Sequence, residues 1–163
     1  MSVGDPAPPA DVAVGTKPGY KRPESILVVV YTGAGQVLLL HRVHPVFWQS
    51  VTGSLKWPDE TPARAARREL AEETGITDCA ALTDGQRRFR FPILPAYRHR
   101  YRPGVCENLE HVFSLELSAP VPVRLNPREH SDYQWVDFDS AIATVWSWSN
   151  RAALEQIRDQ RAA

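Results

Sequence analysis

Three glutamates, Glu69, Glu72 and Glu73, stand at i, i+3 and i+4 in the run Arg68-Glu69-Leu70-Ala71-Glu72-Glu73-Thr74-Gly75. On a helix turning about 100° per residue, that spacing brings all three carboxylates to one side of the cylinder. Carboxylates held so close repel one another unless cations or basic groups neutralise them. Oxygen donors favour a hard divalent ion, Mg²⁺ or Mn²⁺, over zinc, and such an ion keeps several waters and bridges carboxylates to phosphates. Phosphate chemistry at a metal is one reading. The other is a solvated acidic face paired with Arg64, Arg67 and Arg68 on neighbouring turns.

The elements that would position these groups can be read on either side. Thr61-Pro62 reads as an N-cap followed by proline at the first helical position, and Gly75 as a C-terminal stop, which predicts a helix over Pro62 to Thr74. Leu70, Ala63 and Ala66 give it an apolar stripe beside the glutamates. Upstream, Ile26 to Tyr31 and Gln36 to Leu40 flank Thr32-Gly33-Ala34-Gly35, a hairpin signal. Phe47 to Thr52 extends as a further short strand that Gly53 breaks. Downstream, Arg87 to Phe91, Glu110 to Leu117 and Tyr133 to Val136 read as strands, and Ala141 to Arg158 as a helix interrupted near Ser147 to Ser149. The order β-β-β-α-β-β-β-α predicts an α+β fold, a mixed β-sheet sandwiched between α-helices. Residues 1–19, with Pro6, Pro8, Pro9 and Pro18 and no apolar period, read as a flexible N-terminal tail before one domain over residues 20–163.

Composition narrows the partners. The 163 residues carry 19 Lys plus Arg against 19 Asp plus Glu, a balance that argues against a general nucleic-acid binder. No run reaches the roughly 20 apolar residues that span a bilayer, so neither a membrane partner nor a leader is expected and the expected compartment is the cytoplasm. Cys79 and Cys106 lack metal-ligand spacing and read as buried, reduced thiols. No coiled-coil seam or sticky strand speaks to oligomeric state.

From Gly53 the chain reads Gly53-Ser54-Leu55-Lys56-Trp57-Pro58-Asp59-Glu60, then seven residues, then Arg68-Glu69-Leu70-Ala71-Glu72-Glu73-Thr74-Gly75-Ile76. This resembles the Nudix box, G-x5-E-x7-R-E-U-x-E-E-x-G-U with U aliphatic, the signature of a hydrolase family acting on nucleoside diphosphates linked to another group. One departure stands out: six residues, not five, separate Gly53 from Glu60. The extra residue is expected to bulge the loop while the helix keeps its register. The resemblance implies a Nudix fold, Mg²⁺ as cofactor with Mn²⁺ as an alternative, and Glu69 and Glu73 as metal ligands. It makes Glu72 a further ligand or the base for water, and pairs Arg68 with Glu60 so that the catalytic set is Arg68, Glu69, Glu72 and Glu73.

Segments outside the box narrow the branch: Tyr20-Lys21-Arg22-Pro23, Phe47 to Gly53, Arg98-His99-Arg100-Tyr101 and Ser147-Trp148-Ser149-Asn150-Arg151. They resemble the bacterial Nudix hydrolases that remove pyrophosphate from 7,8-dihydroneopterin triphosphate in folate biosynthesis. That resemblance implies substrate contacts from Lys21, Arg42, Thr52, the stretch Phe91, Pro92, Ile93 and Leu94, and Ser147, with Glu129 as a metal ligand from outside the box. The implied partner is a small-molecule pterin or nucleoside triphosphate.

The residues themselves leave alternatives open. Lys21 and Arg42 can neutralise phosphate oxygens. Arg87, Arg88, Arg90, Arg98, Arg100 and Arg102 read as a solvated hairpin face, an anion funnel or an RNA-contacting patch. Trp48, Phe91, Trp146 and Trp148 read as core or as stacking platforms for a flat ring. His41, His44, His99 and His111 read as structural, and His130 as a neighbour of Glu129 with possible acid/base use. A broader nucleoside triphosphate pyrophosphatase and a non-catalytic sensor share the helix motif.

Overall fold

The computed structural model describes residues 19–163, so the expected tail lies, save for Gly19, outside the described residues. The described chain runs β1 (Glu24–Thr32), β2 (Gln36–Val43), β3 (Val46–Gln49), β4 (Val51–Ser54), α1 (Pro62–Thr74), β5 (Leu82–Pro92), a short 3-10 helix (Pro95–Arg100), β6 (Glu107–Leu117), β7 (His130–Asp137), α2 (Phe138–Thr144) and α3 (Trp148–Ala162). It is the expected α+β arrangement, a mixed sheet with helices on both faces.

β1 lies at the centre because its apolar run is buried on both sides, as a strand covered on both faces requires. Ile26, Val28 and Val30 face one core with Ala65, Ala66 and Leu70 of α1. Leu27 and Val29 face the other with Phe138 and Ala141 of α2 and Ala153, Leu154 and Ile157 of α3. β6 pairs parallel with β1 along its length, from Glu24↔Leu109 to Thr32↔Leu117. The other edge of β1 is shared: β2 meets it at Tyr31↔Val37, and β4 takes over from Val28↔Val51 to Ser25↔Ser54.

That sharing corrects the strand expected over Phe47 to Thr52. Ser50 divides it, β3 pairing with β2 and β4 with β1. The break is locked by Asn150, whose side chain accepts from Ser50 N at 2.9 Å and donates to Ser50 Oγ at 2.9 Å. Gly53 does not end a strand but lies inside β4 opposite Ile26. β5 begins at Leu82 rather than Arg87, with a bulge between Asp84 and Arg87 where Gln86 takes φ 51°. The C-terminal helix is two helices, capped by Asp137 and by Ser147, which accepts from Asn150 N. Cys79 is half-buried and Cys106 exposed, both free thiols, so Cys106 departs from the expected buried pair.

Candidate active site

α1 spans the predicted residues. Thr61 Oγ accepts from Arg64 N at 3.3 Å, and Gly75 adopts φ 77°, a left-handed cap whose N–H bonds Ala71 O. These caps fix the ends of the helix, and its apolar residues set which side meets the sheet. Ala65, Ala66 and Leu70 are buried, and Glu69 and Glu73 go with them, 9% and 4% exposed, while the Glu72 side chain stays 52% exposed. A solvated acidic face is thereby excluded for two of the three glutamates.

The glycine of β4 makes room for this. A Cβ at Gly53 would overlap the Glu69 side chain, so the carboxylate passes directly over the strand. One residue earlier, Thr52 N–H donates to Glu73 Oε2 at 3.4 Å. Arg68 organises the rim. Its Nε and Nη2 make a paired contact with Glu60 at 2.8 Å each, Nη1 reaches Glu69 at 2.7 Å and Glu72 at 3.2 Å, and Nη2 also donates to Ser54 O at 3.0 Å. The hydrogen bonds from Arg68 hold the Glu60 carboxyl down at about 2. The extra residue before the helix is absorbed in the turn from Lys56 to Glu60, closed by Lys56 N–H on Glu60 Oε1 at 2.9 Å and by Trp57 Nε1 on Tyr20 O at 2.8 Å.

Burial raises both buried glutamates. Glu69 is pushed up to about 7, with Arg68 pulling the other way, and Glu73 is raised well above the usual carboxylate range by burial and by the charges of Glu69 and Glu129. A divalent cation relieves the same two penalties, desolvation and mutual repulsion. One ligand atom each from Glu73, Glu129 and His130 lies within 4.8 Å of the others. Glu129 is placed by its backbone, which accepts from Val43 N at 3.0 Å. The donor set, mostly carboxylate oxygen, fits a hard divalent ion.

His130, which the sequence presents as a neighbour of Glu129 with acid/base use, is buried, its pKa lowered to about 4 by burial and by the nearby charge of Arg42. Its Nε2 faces Gln49 at 3.3 Å, and its Nδ1 is buried without a protein partner. Lys21 is exposed but crowded: partial desolvation and the charges of Arg100 and Arg42 lower its pKa, while Glu69 and Glu129 oppose them. Lys21 and Arg42 therefore share the field of the acidic cluster. Arg42 is held by His44 O at 3.0 Å.

Of the remaining expected substrate residues, Ser147 and Phe91 lie at the start of α3. Ser147 caps that helix, and Phe91 lies edge-on to Trp148 at 6.3 Å. Ile93 is buried, while Pro92, the last residue of β5, and Leu94 just beyond it are exposed. The arginine group does not form one patch: Arg87 donates to Gln156 of α3, Arg98 to Ile93 O, and Arg102 lies over Trp57.

A NUDIX domain model matches residues 21–157. The chain belongs to the Nudix family. This Nudix hydrolase is 47% identical over 143 residues to the dihydroneopterin triphosphate diphosphatase of Escherichia coli K12, covering 85% of this chain and 93% of that protein. It is 38% identical over 143 residues to the Haemophilus influenzae protein of the same name, covering 84% and 88%. The solved structure of the E. coli dihydroneopterin triphosphate pyrophosphohydrolase superposes with a TM-score of 0.77 at 46% identity, over 84% of this chain and 95% of that one. Divalent metal is the cofactor type of the family, and the acidic group with His130 suits it. Among the described residues no helix is long and apolar enough to cross a membrane.

Proposed function

We propose that this Nudix hydrolase cleaves 7,8-dihydroneopterin triphosphate to the monophosphate and pyrophosphate, with Mg²⁺ as the preferred ion, Mn²⁺ as a substitute, and the cytoplasm as its compartment. The observation that carries the reading is the pair of buried glutamates, Glu69 and Glu73, seated against β4 beside Glu129, in a chain with 47% identity to a diphosphatase of that substrate.

Glu69, Glu73 and Glu129 would hold the ion, with Glu72 as a further ligand or as the base. When bound, the ion neutralises phosphate charge and lowers the pKa of water. The protein's own groups do the rest. Lys21 and Arg42 bind phosphate oxygens and offset charge that builds on the bridging oxygen as it leaves. Glu72, exposed and hydrogen-bonded to Arg68, orients the attacking water and accepts its proton. The water oxygen bonds to phosphorus, the α–β phosphoanhydride bond breaks, and its electron pair leaves on pyrophosphate. Arg68 and Glu60 keep the loop and helix fixed while this happens, so little reorganisation is needed.

The test is pyrophosphate release from dihydroneopterin triphosphate beside a panel of ordinary nucleoside triphosphates, each with Mg²⁺. The reading expects kcat/KM for the pterin substrate to exceed the panel by tenfold or more. Equal rates across the panel would replace it with a broad nucleoside triphosphate pyrophosphatase.

A further inference from the structure

On the sheet face away from α1, two buried acceptors have no protein partner: Glu110 Oε1 and Asn108 Oδ1, on residues 6% and 5% exposed. Burying a carboxylate without donors is costly, and native chains keep such groups where something else satisfies them. Both residues lie on β6 two positions apart, so their side chains share one face. Asn108 Nδ2 is occupied by Ser25 Oγ at 2.8 Å, which turns the amide and fixes its free oxygen. Glu110 receives help only from Ser149, and burial raises its carboxyl to about 7.

Aromatic side chains surround the two acceptors. Phe89 and Phe91 of β5 stand opposite Glu110 and Asn108 in register. Trp148, the first residue of α3 and 53% exposed, meets Phe89 at 5.3 Å and Phe91 at 6.3 Å. In the sheet, the pair lies two strands from the rim of the acidic cluster. Ser54, whose carbonyl is held by Arg68, and Glu110 both pair with Ser25, one on each side of β1. Two interstrand steps separate them by about 10 Å, a gap that a phosphorylated side chain can bridge.

We propose that Glu110 and Asn108 read the 2-amino-4-oxopyrimidine edge of the substrate's heterocycle, the edge that pterin and guanine share. Glu110 accepts from the ring N–H and one amino hydrogen in a paired contact, and Asn108 Oδ1 accepts the other amino hydrogen. Phe91 and Trp148 flank the ring. The assignment deepens the proposed function, and it makes Glu110 a specificity determinant of the same reaction.

The experiment measures kcat and KM of wild type and Glu110→Gln for dihydroneopterin triphosphate, GTP and XTP. XTP carries an oxygen where the other two carry the amino group. Glutamine keeps the volume but offers an amide N–H to that position. Glu110→Gln is expected to lower kcat/KM for the two amino substrates by about tenfold or more, chiefly through KM, while XTP holds or gains. A GTP-to-XTP ratio unchanged within twofold, or an equal loss on all three, overturns the proposal. If wild type turns over GTP but not the pterin compound, the proposed substrate falls, while the GTP-to-XTP ratio still decides the role of Glu110. Melting curves precede the kinetics. Should Glu110→Gln be unfolded at assay temperature, Glu110→Asp carries the test, with a raised KM for amino substrates expected and an unchanged KM contradicting it.

Discussion

Gly53 leaves open the space that the Glu69 side chain fills: a Cβ on the strand residue would lie within the side chain of the helix residue. The glycine at the head of the Nudix box is therefore required by contact between β4 and α1, where it lets the Glu69 carboxylate pass over the strand. Gly53→Ala should displace Glu69, cost about 1–3 kcal/mol of stability through overpacking, and lower turnover far more than stability. Thermal melting and steady-state kinetics check this, and near-normal kcat with normal melting would show that Glu69 has room to move.

Glu60 tests the rim. Its folded pKa, about 2, lies below the ordinary value of 4.5 because Arg68 donates to it. A depressed carboxylate contributes its full stabilisation above the unfolded pKa and loses it as pH falls through the folded one. Glu60→Gln should therefore destabilise the protein by on the order of 1–3 kcal/mol near neutrality. The difference from wild type should narrow between pH 4.5 and about 2. Denaturation across that range reads the effect directly.

Glu69 and Glu73 carry the opposite sign. Their folded pKa values are raised, so without metal the folded state loses stability as pH rises from 4.5 through about 7 for Glu69, and over a higher range for Glu73. In chelator at pH 8, Glu69→Gln or Glu73→Gln should melt higher than wild type, by roughly 2–4 °C per kcal/mol relieved. Both should lose about a hundredfold or more in turnover with Mg²⁺ present. A variant that melts lower in chelator would mean that the carboxylates stabilise the empty site.

What the sequence disclosed was local. The limits of α1 followed from Thr61, Pro62 and Gly75, and the grouping of its glutamates on one side from helical spacing, which left open whether that side was buried. The long-range features were hidden. Gly53 looked like a breaker because glycine carries no sign of the helix that crosses it, and Ser50 gave no hint of a strand break held by a residue 100 positions away. The first half of β5 is polar and bulged, so it lacks the alternation that marks a strand. Glu110 was read only as the start of a strand. Its burial, and the aromatic rings opposite it, come from β5 and α3 folding over it.

The carboxylates of α1 are expected to grip a divalent ion where a polyphosphate can reach it. The most direct measurement of that grip is anomalous diffraction from crystals grown with Mn²⁺ and a non-hydrolysable triphosphate. The account predicts a manganese peak bounded by Glu69, Glu73 and Glu129 and in contact with a phosphate oxygen. A peak held by other residues, or none beside an ordered triphosphate, would contradict it.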